Sequence, residues 1–166
     1  MTAAEITFVL EPREPLQGTQ QAPGRAWSYE DPFLGRLGVV VGGQRLHIAQ
    51  TKDADAAYGQ YLYTNLLALA DVLRDWPAGG GEIPLVDEPV TLLLTPGEGG
   101  ITYCLEALGE RGPCATAGLA ASRRSLAGAL RDYAAWLDGH LEHHPQRDRV
   151  HDALAQRVHA LEQART

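Results

Sequence analysis

The sequence predicts an α+β domain, an antiparallel sheet of about five strands with one face covered by about three helices. Three observations lead there. Several short segments alternate apolar and polar residues with a period of two. Two long segments repeat apolar residues every three or four positions, and a third follows Pro145. Strands and helices then occur as β, hairpin, α, hairpin, α, α, and no segment repeats. Layering helices on one sheet face is the simplest way to bury both apolar surfaces. With 166 residues the chain suits one domain, residues 1–166, with a core of its own.

The elements follow in order. Ile6, Phe8 and Leu10 alternate with Thr7, Val9 and Glu11, which predicts a strand over 6–11. Residues 12–26 hold Pro12, Pro15, Gly18, Pro23 and Gly24, and read as a flexible loop. Trp27–Tyr29 suits a short strand ending at Asp31-Pro32. Residues 35–50 predict a hairpin, because Gly42-Gly43 separates Val39–Val41 from Leu46–Ile48 and a tight primed turn needs positive φ twice.

Asp53 or Asp55 is placed to cap a helix over 54–76, whose stripe is Tyr58, Leu62, Leu66, Leu69, Leu73 and Trp76. Pro77 and Gly79–Gly81 stop it. Strands follow at 90–95 and 101–108, joined by a turn over 96–100. Ser122 is placed to cap a helix over 123–143, striped by Leu126, Leu130, Tyr133, Leu137 and Leu141. Pro145 disfavours helix at His144 and suits the first position of a last helix, 146–164, with Val150, Leu154, Val158 and Leu161 on one side. That stripe either packs on its own domain or serves as an interaction element.

The charge of -7, from 14 Lys+Arg against 21 Asp+Glu, argues against binding nucleic acid through phosphate neutralisation. It permits a basic partner. No run of about 18 apolar residues suggests a membrane span, and the first residues lack the basic segment of a signal peptide. Cys104 and Cys114, at a spacing that matches no metal or redox motif, read as two ordinary thiols and suggest a reducing cytoplasm.

Few constellations carry chemistry. His140 and His144 have the i, i+4 spacing that places two imidazoles on one helix face, and His143 lies between them. These three are the candidate metal ligands of an alternative, metal-dependent enzyme. Against it, Pro145 falls where the second ligand must be held, and histidines also suit a helix C-terminus or a pH-dependent junction. Glu30-Asp31, Asp53/Asp55 and Asp87-Glu88 sit at turns or element ends, where capping explains them. No nucleophile elbow and no phosphate-binding glycine loop is present. Arg123-Arg124 opens a helix at the end its dipole disfavours, so the pair serves a partner, an internal acid or solvent. No catalytic residue and no cofactor is expected.

One layout carries a resemblance. Trp27, Tyr29, Asp31 and Pro32 follow a strand; Leu66, Leu69, Val72, Leu73 and Trp76 mark a helix; two strands come next, then Leu126, Leu130, Tyr133, Trp136 and Leu137. Over roughly residues 5–145 this resembles small actinobacterial immunity-type proteins, including the group related to the immunity protein of the WapA toxin. The resemblance implies a non-catalytic cytoplasmic protein that binds and inhibits a partner protein, such as a basic toxin. Tyr29, Glu30, Asp31, Tyr61 and Tyr63 are the candidate contact residues, since aromatics and acids suit such an interface. An accessory subunit of a larger assembly is the alternative, and a second copy of the chain is admissible as partner.

Overall fold

The computed structural model describes residues 4–12, 33–48, 61–85 and 90–164. Of the expected loop over 12–26, Pro12 belongs instead to the first strand, and the rest of it, the strand at 27–29, the caps Asp53 and Asp55 and the helical start at 54–60 lie outside the described residues.

Strand β1 (Ile6–Pro12) pairs antiparallel with β2 (Gly35–Val41), and Phe8 faces Val39 in register. Gly42 and Gly43 then turn the chain at φ 58° and 80°, the primed geometry that two glycines permit. The returning strand β3 is only Gln44–Arg45, shorter than the predicted arm through Ile48. Leu46 still donates its N–H to the Val39 carbonyl at 2.9 Å before the chain leaves the sheet. It leaves to cross the segment at Gly112, where a side chain would collide with the His47 carbonyl.

Helix α1 (Leu62–Asp75) buries Leu62, Leu66, Leu69 and Leu73 completely, as the stripe predicts. Strand β4 (Gly81–Leu85) follows, where the sequence suggests only a glycine stop. Its alternation is real, with Ile83 and Leu85 buried and Glu82 and Pro84 exposed. Among the described residues β4 pairs with β5 alone, an edge position at which the proline is tolerated. Strands β5 (Val90–Gly97) and β6 (Gly100–Ala107) form the predicted hairpin. Their ladder extends through Gly97 and Gly100, so the turn shrinks to Glu98-Gly99.

Two further strands, β7 (Glu110–Arg111) and β8 (Ala115–Ala117), fold back onto β6. Neither is long enough to show a period. Tyr103 opposes Ala115, which brings the preceding pair, Cys104 and Cys114, across from one another. They are joined as a disulfide, with Cα atoms 4.5 Å apart. The expectation of two ordinary thiols is therefore corrected, and with it the redox argument drawn from them.

The strands form two antiparallel sheets, in the orders β1-β2-β3 and β4-β5-β6-β7 with β8 also on β6. The α+β class holds, and the expected single sheet is divided. Phe8 of one sheet meets Tyr103 of the other with ring centres 6.1 Å apart, and an isolated parallel bridge joins Ala4 to Ala117 between them. β8 ends there because Gly118 leads directly into helix α2 (Leu119–His140).

Gly118, not Ser122, is the residue that precedes α2; Ser122 lies inside the helix and its Oγ donates to the Gly118 carbonyl at 2.9 Å. α2 packs on β1, and Ser125 Oγ accepts the Phe8 N–H at 3.3 Å, a backbone donor on the strand's unpaired edge. Arg123 is 6% exposed, so it is buried and not solvated. Its guanidinium donates to the carbonyls of Leu73 (2.8 Å), Arg74 (3.0 Å) and Ala164 (3.4 Å). One side chain thereby satisfies the carbonyl ends of two helices.

The predicted break falls at Leu141–Gln146. Helix α3 (Arg147–Gln163) starts two residues after Pro145, with Gln146 at its N-cap, so the proline shapes the connection and is not the first helical residue. Val150, Leu154 and Leu161 of α3 are buried in the common core, so the stripe packs on its own domain. No helix among the described residues is long and apolar enough to cross a membrane.

Candidate functional site

The N-terminal part of α1 and one face of α3 do not close on each other. Tyr63 and Leu67 stand one turn apart on α1, with Tyr61 just before the helix. Val150, Ala153 and Arg157 recur along α3 at steps of three and four, with Arg149 beside them. The cleft between them measures about 870 Å³ and is open to solvent. Phe33 closes one end, its ring 5.3 Å from that of Tyr63. Phe33 also meets the His144 ring at right angles, with ring centres 5.6 Å apart.

The electrostatics of the floor centre on Tyr63. Its hydroxyl is pushed above the usual phenol range by burial, while Arg157 and then Arg149 act to lower it. Deeper still, burial holds the Tyr133 hydroxyl far above that range, and the nearby Tyr63 raises it further. Arg157 is tied to Asp71 at 3.1 Å, and Asp71 also meets Arg74 at 3.1 Å. Arg149 and Asp152 are exposed along the lining. Among the described lining residues there is no histidine, cysteine or serine.

Of the residues singled out in the sequence, Tyr61 and Tyr63 are brought together on this cleft. Tyr29, Glu30 and Asp31 lie outside the described residues. The candidate metal ligands are dispersed. α2 ends at His140, so His140 and His144 no longer share the face that i, i+4 spacing would give them. His140 stacks on Trp136 at 3.9 Å, and its Nδ1–H donates to the Trp136 carbonyl at 2.7 Å. His144 Nδ1 instead accepts the Gln146 N–H at 3.1 Å, while His143 is exposed in the connection. Among the described residues no three His, Cys, Asp or Glu side chains gather as a metal site.

No family model, curated protein or solved structure matches this chain.

Sequence reasoning did not find Phe33, Arg149 or Arg157 as site residues. Phe33 is isolated in sequence, and the arginines lie among other charged residues of the last helix. Only the pairing of α3 with α1 gives them a common address. What the arrangement can do is bind: it offers aromatic faces, an apolar floor from Leu67, Val150 and Ala153, and guanidinium donors.

Proposed function

We propose that this chain is a non-catalytic protein-binding protein with its interface centred on the α1/α3 cleft. The observation that carries this is the grouping of Phe33, Tyr61 and Tyr63, all partly exposed, in one open cleft. Tyrosines supply large contact area with little entropy to lose, and energetic anchors of interfaces are enriched in them. An inhibitor of the immunity type is the form of this proposal that the sequence resemblance supports. The charge of -7 is consistent with it, since an acidic chain draws a basic partner at long range.

The test is binding of the purified chain to the products of neighbouring genes, measured by calorimetry. A stoichiometric complex is expected, and Tyr61→Ala and Tyr63→Ala should each weaken it about tenfold or more, in keeping with a loss near 2 kcal/mol at an anchor. Tyr61→Ala removes a side chain outside the helix, so its circular dichroism should match the wild type. The proposal fails if none of these products binds, or if both variants bind like the wild type.

A further inference from the structure

We infer that the α1/α3 cleft receives an acidic side chain, presented beside an apolar one on an inserted segment of the partner protein. This rests on the protein-binding reading and adds the chemistry of what enters. It also departs from the sign that net charge suggests, because the chain is acidic and its cleft floor is not.

The argument is electrostatic and geometric. Arg157 and Arg149 both line the cleft, and they are the ionised groups that act on the half-buried Tyr63 phenol; both are positive. Arg157 is partly offset by Asp71, which holds it in place at 3.1 Å and is itself shared with Arg74. Arg149 makes no ion pair among the described residues, although other arginines of the helical layer do: Arg131 with Glu162, Arg147 with Asp138 and Arg74 with Asp75. Asp152 lies one turn further along α3 and is the acid among the described lining residues. An incoming cation would meet Asp152 but would bring a third positive charge beside Arg149 and Arg157. A carboxylate would meet Arg149 and the Tyr63 hydroxyl, both hydrogen-bond donors. Like-charge contact at a partly desolvated site is strongly unfavourable, which is how interfaces reject wrong inserts.

The remaining lining sets the neighbour of that carboxylate. Phe33, Leu67 and Val150 present carbon, not donors or acceptors. A volume of about 870 Å³ takes several side chains, far more than one carboxylate. An acid followed by a Leu, Phe or Trp fills both parts. The two charge effects then act at different ranges: the overall -7 draws a basic partner in, and the cleft selects an acidic anchor on it.

The probe is a phage-displayed library of random 12-residue peptides, selected against the full chain. Enriched peptides should carry Asp or Glu next to a large apolar residue. Arg149→Glu should weaken the best synthetic peptide tenfold or more. Arg111→Glu, on β7, changes net charge equally and should leave it within twofold. Enrichment of basic peptides, an absence of enriched acidic peptides, or equal loss in both variants overturns the inference. So does self-association of the chain that Arg149→Glu abolishes, which would give the cleft to a second copy. If a neighbouring gene product binds the wild type and Arg149→Glu equally, the acidic anchor fails while the protein-binding reading stands. If no gene product binds but acidic peptides do so through Arg149, the reverse holds.

Discussion

Arg123 shows how one residue can be read two ways. Beside Arg124 it looks like half of a basic pair at a helix start. Yet it is in phase with Leu126, Ala127, Leu130, Tyr133 and Leu137, the buried stripe of α2, whereas Arg124 is exposed. The phase was legible; the partners were not, because carbonyls at the ends of α1 and α3 are placed only by tertiary packing. Removing the guanidinium leaves those carbonyls without donors in a buried setting. Arg123→Met should lower the unfolding free energy by about 2–3 kcal/mol, the usual cost of orphaned buried polar groups plus lost charge-assisted bonds. Arg123→Lys, with one compact donor group in place of a planar fork, should recover only part of that. Urea denaturation measures both, and a loss below about 0.5 kcal/mol for Arg123→Met would show that water replaces the side chain.

The long elements were legible because their periods are long. α1, α2 and the β5–β6 hairpin each repeat their pattern several times, and burial fixes the phase. β4 was hidden by Pro84, which argues against a central strand and is harmless at an edge. β7 and β8 have two and three residues, too few for any period, and the Cys104–Cys114 link follows only once β8 is seen to lie against β6. α3 is the element whose role was open, and its packing decides it. Leu154 is 1% exposed in the shared core, and Ala164, just past the helix, accepts from Arg123. Removing residues 146–166 should therefore unfold the remainder, read as loss of a cooperative thermal transition. Leu154→Ala, a milder probe, should cost about 2–4 kcal/mol. A truncated chain that still melts cooperatively would return α3 to the role of a detachable interaction arm.

At the scale of the whole molecule, the candidate site joins segments far apart in sequence. Phe33, the start of α1 and the face of α3 meet only because α3 doubles back after Pro145, so composition could suggest tyrosines but not their neighbours. The same helical layer covers phenols that must stay neutral. Burial holds the Tyr103 and Tyr133 hydroxyls far above the usual phenol range, and raises that of Tyr63 as well. A group whose folded pKa is raised contributes stability that is complete below its unfolded pKa and is lost as pH rises toward the folded value. For these tyrosines the loss begins near pH 10, where the unfolded chain starts to release protons that the folded chain keeps. Each fully protected phenol then removes about 1.4 kcal/mol of stability per pH unit. The chain should hold a constant melting temperature through neutral pH from these groups and lose it steeply above pH 10. In the double variant Tyr103→Phe/Tyr133→Phe that alkaline slope should flatten, even if the variant is less stable at pH 7. Equal slopes in variant and wild type, measured between pH 9 and 11 by calorimetry, would mean that the two phenols ionise in place and that the layer above them opens to water without unfolding.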